Sequence, residues 1–168
     1  MRLFLALRLE ETALRALTGL QGTLTGDPVP RENLHLTLAF LGETAPDRVP
    51  PLRSLVRNMT GIPEVLTAQG WFRRRQKRGD LLAVAIRRDP ALMDLQRRLT
   101  EDLTRLGCPL EDRDYLPHIT LLRRARLPEE LPIPELPDLQ VRSAALMLSH
   151  RPEGVLTYST LAERNVGN

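Results

Sequence analysis

Apolar and polar residues alternate along NLHLTLAFLG, the stretch from Asn33 to Gly42. Leu34, Leu36 and Leu38 fall on one parity, His35 and Thr37 on the other. Successive strand side chains point to opposite faces, so this pattern predicts a strand with leucines toward a core. An imidazole and a hydroxyl then stand together on its other face. The stretch PHITLL repeats the arrangement, with His118 and Thr120 separated by Ile119 and followed by Leu121. One strand histidine on its own reads as a core residue satisfied by a hydrogen bond. Here two of the chain's three histidines carry the same pattern, 83 residues apart, and they read as one composite site. Two facing imidazoles can donate a proton on one side of a reacting atom and accept one on the other. His150, in MLSHRPEG, lacks the pattern and is expected at a strand end or turn.

The rest of the pattern predicts an α+β chain. Strands are expected over Arg2–Leu9, around His35, over Val65–Phe72, Leu81–Arg87 and Leu116–Leu122, and in a closing pair, Leu139–Ser149 and Val155–Glu163. Helices are expected over Glu10–Leu20, Pro46–Thr60 and Pro90–Leu106. The last has Leu92, Leu95, Leu99, Leu103 and Leu106 at helical spacing, then Gly107 and Pro109. QGTLTGDPVPREN and RLPEELPIPELPD read as connections, and RRRQKRGD as a hairpin tip. The order strand, helix, histidine strand occurs twice, so the chain reads as a weak internal repeat. A pseudo-twofold arrangement would bring the two histidine strands to opposite sides of one cleft.

At 168 residues, 42% of them apolar and 27% charged, the chain suits one domain, or two small lobes sharing a core. Its apolar runs are shorter than the ~20 residues of a membrane-spanning helix. MRLFLALRL is interrupted by Arg8 and reads as the first strand rather than a leader. The single Cys108 excludes an intramolecular disulfide and a cysteine-rich zinc site, and fits a cytoplasmic protein. Net charge is only +3, but Lys77 is the only lysine among 24 basic residues. Arginine presents a planar fork of donors that matches phosphate oxygens, so the composition leans toward an anionic ligand.

HLTLAFLG and HITLLR resemble the paired HxTx motifs of the two-histidine (2H) phosphoesterase superfamily. The bacterial RNA 2′,3′-cyclic phosphodiesterases, also called 2′-5′ RNA ligases, are the nearer match. The resemblance runs from RLFLAL through ENLHLTLAFLG and the second motif to LMLSHRPEGVLTYSTL. It implies a bilobal α+β fold, with antiparallel sheets lining a central cleft and helices outside. It also implies metal-independent hydrolysis of an RNA terminal 2′,3′-cyclic phosphate to a 2′-phosphate, without a cofactor. By resemblance, His35 is the proton donor to the departing 3′ oxygen and His118 the base that activates water. Thr37, Thr120 and Arg123 would bind phosphate. The implied partner is an RNA or nucleotide with a 2′,3′-cyclic phosphate end; a monomer away from membranes is expected.

Two details depart from simple expectation. Family members often carry Arg-Pro-Phe-x-Pro before the second histidine, where this chain has RDYLP, with Asp114 and Tyr115. Arg123 lies five residues after His118, so strict alternation turns it away from the site unless a bulge, a strand end or its long side chain brings it back. Further candidate RNA contacts are Phe40, Tyr115, Trp71, Arg73, Arg74 and Arg75, with Phe72, Arg124 and Arg126 beside them. Aromatics could stack on bases there and arginines meet phosphates. The competing functions are a non-catalytic RNA-end-binding module and a metal site on His35 and His118, which lacks a third ligand at ligand spacing. Any ligation reads as reversal of the phosphodiesterase chemistry, joining a cyclic phosphate to a 5′-hydroxyl through a 2′-5′ bond.

Overall fold

The computed structural model describes residues 1–167. In chain order the elements are β1 (Arg2–Leu9), α1 (Glu11–Gln21), β2 (Asp27–Pro28), β3 (Leu36–Glu43), α2 (Val49–Arg57), β4 (Val65–Leu66), β5 (Ala68–Arg74), β6 (Asp80–Ile86), α3 (Pro90–Arg105), β7 (His118–Ala125), β8 (Leu139–His150) and β9 (Thr157–Asn165). Two antiparallel sheets result. The first runs β3-β1-β8, with β9 and the short β4 also paired to β8; the second runs β2-β7-β6-β5. The expected repeat is visible as β1-α1-β3 against β6-α3-β7. In each half the histidine strand pairs antiparallel with the strand that opens the half.

Burial explains the run of apolar residues in β1. Leu3, Leu5, Leu7 and Leu9 enter the main core, with Leu36 and Leu38 of β3, Leu92, Leu95, Leu99 and Leu103 of α3, and Ile119 and Leu121 of β7. Phe4 and Ala6 point the other way and meet Ala145, Met147 and Tyr158 in a smaller cluster. A strand buried on both faces needs no polar alternation.

Several boundaries differ from expectation. α1 is shifted by one residue, to Glu11–Gln21. α2 is shorter than Pro46–Thr60, because Pro46–Arg48 forms a separate 3-10 turn ahead of Val49. β5 extends to Arg74, past the expected Phe72, so two of the tip's arginines belong to the strand. β9 begins at Thr157 after a 3-10 turn over Pro152–Gly154. β7 starts at His118 rather than Leu116, and His35 lies one residue before β3. His150 ends β8, as expected.

Each histidine strand carries a bulge directly after its threonine. In the first half Ala6 pairs with Thr37 and Leu5 with Ala39, so Leu38 is the extra residue. In the second half Ala83 pairs with Thr120 and Leu82 with Leu122, so Leu121 is extra. The inserted residue reverses the parity of the residues after it. Leu38 with half-buried Ala39, and Leu121 with Leu122, are consecutive core residues, and the next residues, Phe40 and Arg123, are exposed. Both lie five positions after their histidine, so the two halves present Phe40 and Arg123 equivalently. The bulged Leu121 carbonyl is satisfied from outside the ladder. It accepts from the Val29 backbone N–H (2.8 Å) and from the buried Gln21 amide (2.9 Å), which also donates to the Val29 carbonyl (3.0 Å). Arg124 takes a left-handed conformation (φ 48°), and Gly79 packs against its backbone, where a Cβ would come within 2.6 Å. Gly79 is itself at φ 111°, so the hairpin can meet the strand at that point only through a glycine.

Candidate active site

The two imidazoles are anchored alike. His35 donates Nδ1–H to the Asn33 carbonyl, and His118 donates Nδ1–H to the Leu116 carbonyl, both at 2.7 Å. A carbonyl oxygen only accepts, so the proton sits on Nδ1 in each neutral ring and Nε2 is left to react. In the first half the Thr37 hydroxyl then donates to Nε2 of His35 (2.9 Å). Asn33, itself buried, donates from its side-chain amide to the Leu156 carbonyl (3.3 Å), tying this loop to the start of β9.

The packing around the rings differs. Phe4 lies against His35 with ring centroids 5.0 Å apart, and Tyr158 meets it edge-on at 5.3 Å. Phe72 stacks on His118 at 4.8 Å with the planes only 13° apart. Burial is the largest influence on His35 and disfavours its charged form. The bond to the Asn33 carbonyl opposes this, while the positive charges of His118 and Arg123 add to the lowering. His118 and Arg123 are therefore close enough to His35 to act on its charge. β3 and β7 also lie next to each other, and the Tyr115 hydroxyl donates to the Thr37 carbonyl (2.8 Å), linking the approach to the second motif directly to the first.

The remaining candidate residues take diverse places. Arg123 is exposed after its bulge. Phe40, 65% exposed, lies 6.3 Å from Phe4 at the same edge. Tyr115 is mostly buried, which pushes its phenol well above the usual range, and its hydroxyl is engaged by Thr37. Trp71 donates Nε1–H to the Pro132 carbonyl (2.7 Å), and Arg73 bonds to Asp80 (2.8 Å) and the Pro128 carbonyl (2.8 Å). These two pin the Pro-rich connection beside β5, which is the edge strand of its sheet. Arg75 pairs with exposed Glu129 (3.1 Å). Arg74, on the opposite parity, lies over the Phe72 ring at 5.9 Å. Arg124 pairs with Asp27, and Arg126 is exposed. Cys108 is half-buried just past α3.

Sequence reasoning did not single out Phe4, Tyr158, Asn33 or Gln21. Phe4 was the most legible of these, as a large residue on the parity opposite Leu3 and Leu5. The other three depend on contacts made across more than one element. Among the described residues no group of three or more His, Cys, Asp or Glu is placed to hold a metal ion, and no helix is long and apolar enough to cross a membrane.

Comparison with known proteins points the same way. The family model of the 2′-5′ RNA ligase superfamily matches residues 8–151. An RNA 2′,3′-cyclic phosphodiesterase of Escherichia coli (strain K12) is 36% identical over 113 residues, which are 65% of this chain and 61% of that relative. The chain therefore spans about three-fifths of that relative's length. The Thermus thermophilus protein of the same name is 32% identical over 158 residues, 83% of this chain and 74% of the relative. Among solved structures, E. coli LigT complexed with 3′-AMP superposes with a TM-score of 0.79 at 29% identity, covering 99% of this chain and 98% of that one. A protein of Thermus thermophilus superposes equally well, with a TM-score of 0.79 at 28% identity and the same coverage. With two antiparallel sheets, paired HxTx motifs and a family match over most of its length, the chain belongs to the 2′-5′ RNA ligase superfamily.

Proposed function

We propose that this protein hydrolyses the 2′,3′-cyclic phosphate end of RNA to a 2′-phosphate, using its two histidines as acid and base. The observation that carries the reading is the matched anchoring of His35 and His118. Each has Nδ1–H tied to the carbonyl two residues earlier, which leaves Nε2 as the reactive nitrogen.

In the forward direction His118 Nε2 takes a proton from water as the water oxygen attacks phosphorus. The bond from phosphorus to the 3′ oxygen breaks, and His35 delivers its Nε2 proton to that oxygen. Charge on the phosphate oxygens is met by the Thr37 and Thr120 hydroxyls and by Arg123, donors aimed where charge develops. No step calls for a metal. In the free site, burial and the charges of His118 and Arg123 favour neutral His35. A bound phosphodiester supplies the opposite charge and so restores the acid when substrate arrives. Phe40, presented like Arg123 but apolar and exposed, suits a nucleobase rather than a phosphate, and its exposure supports that role. With a 5′-hydroxyl in place of water as the attacking group, the same chemistry forms a 2′-5′ bond and frees the 3′ oxygen, which takes the proton from His35.

The relatives named RNA 2′,3′-cyclic phosphodiesterase and the LigT complex with 3′-AMP support this reading. The deciding assay incubates oligonucleotides ending in 2′,3′-cyclic phosphate, with and without chelator, and locates the product phosphate. A 2′-phosphate formed equally in both is expected. Tight binding without turnover would instead identify an RNA-end-binding module, and turnover lost to chelator and rescued by a divalent ion would overturn the acid–base mechanism.

A further inference from the structure

We propose that Phe72 is a positioning residue for His118, a flat ring that fixes the plane of the imidazole and aims Nε2 at the phosphate; this rests on the function proposed above. His35 is held in its plane by two hydrogen bonds, from Nδ1 to the Asn33 carbonyl and from the Thr37 hydroxyl to Nε2. Phe4 and Tyr158 close around it at tilted and edge-on angles of 37° and 87°. His118 has only the Nδ1 bond among the described residues, and its surroundings are more open. One bond leaves a ring free to swing about it. The parallel stack on Phe72, 4.8 Å between centroids and 13° between planes, removes that freedom.

The register shows how the sequence makes room for the stack. Across the second sheet, His118 is opposite Ala85, which is opposite Gly70; Thr120 is opposite Ala83, which is opposite Phe72. The row beside His118 therefore carries only a methyl group and a hydrogen. The Phe72 ring can lean along the sheet over that space and lie flat on the imidazole. Arg74, two residues further on the same strand face, covers the Phe72 ring at 5.9 Å and favours its orientation through a cation–π contact. Ring shape, not polarity, is what the site asks of position 72.

The test combines kinetics with ring-proton NMR. Misplacement of a reacting group by about 1 Å can cost on the order of 10²-fold in rate. Phe72→Leu is therefore expected to lower kcat on a nucleoside 2′,3′-cyclic phosphate by ~10- to 100-fold while KM changes much less. Phe72→Tyr and Phe72→Trp, which keep a flat ring, should restore most of the rate. In the free protein, the ring-current displacement of the His118 ring protons should disappear in Phe72→Leu and persist in Phe72→Tyr, with the His35 ring signals unmoved. Wild-type kcat in Phe72→Leu, or His118 signals that do not respond to loss of the ring, would overturn the proposal. Should Phe72→Leu fail to fold, Phe72→Tyr and Phe72→Trp still decide through the same two readouts. If the wild-type protein turns over no cyclic phosphate, the functional reading fails, and the NMR arm still determines whether Phe72 holds the imidazole.

Discussion

The Tyr115 hydroxyl donates to the Thr37 backbone carbonyl at 2.8 Å, so the segment that leads into one HxTx motif is hydrogen-bonded to the other. Thr37 in turn bonds His35 through its side chain. Phenylalanine at position 115 would preserve the ring but not this bond. Tyr115→Phe should lower unfolding free energy by about 1 kcal/mol, the usual net worth of one such bond. Urea denaturation measures it, and an unchanged midpoint would show that the hydroxyl ties nothing together.

Gln21 has a comparable structural task at greater distance from the chemistry. Its buried amide serves the carbonyl of bulged Leu121, the residue whose insertion turns Arg123 outward. Gln21→Leu leaves that carbonyl short of one partner and should cost about 1–3 kcal/mol. Turnover should fall with it through Arg123. Full stability in thermal unfolding would show that the bulge does not depend on this clasp.

Replacing His35 or His118 with Ala should each lower turnover by ~10²–10⁴, the range for one general acid or base. The double replacement should cost far less than the product of the two, because both act in one transition state. Fully multiplicative losses would mean independent roles.

Arginines should separate by position. Arg123→Ala should impair mononucleotide and oligonucleotide alike, because Arg123 is assigned to the reacting phosphate. Arg74→Ala should weaken the oligonucleotide more, and reduce the salt dependence of its binding, if the strand face carrying Phe72 meets RNA. Arg73→Ala should act mainly on stability, since Arg73 is bonded to Asp80 and to the Pro-rich connection. Equal losses from Arg73→Ala and Arg74→Ala on the oligonucleotide, at unchanged stability, would contradict this division.

The lowered proton affinity of His35 has two pH consequences. Below about pH 6.5 the unfolded chain takes up a proton that folded His35 resists, so this residue's contribution to stability falls on acidification, until the folded group titrates as well. Substrate reverses the trend by adding negative charge. The alkaline limb of kcat should therefore lie at higher pH than that of kcat/KM, which reports the free enzyme. Coincident limbs would mean that His35 is not the acid, or that the anion does not act on it.

The histidines and threonines were legible because they rest on a local rule. A two-residue period puts His118 and Thr120 on one face whatever lies around them, and a second copy of the pattern marks them as more than core residues. The helices over residues 11–21 and 90–105 and the order of the strands follow from equally local periodicity and from glycine and proline punctuation. Arg123, Phe40 and the hairpin arginines were not decidable in this way. Counting parity from His118 turns Arg123 inward, and only the bulge at Leu121 corrects it. That bulge is stabilised by Gln21, 100 residues away in the chain. Trp71 and Arg73 read as RNA-contact candidates in a basic run; only the fold shows that Trp71 Nε1–H also meets the Pro132 carbonyl and that Arg73 also bonds Asp80 and the Pro128 carbonyl. Side-chain chemistry and period are properties of neighbouring residues and can be read along the chain. Which donor is already occupied, and which strand gains an extra residue, depends on partners that meet only when the two sheets assemble.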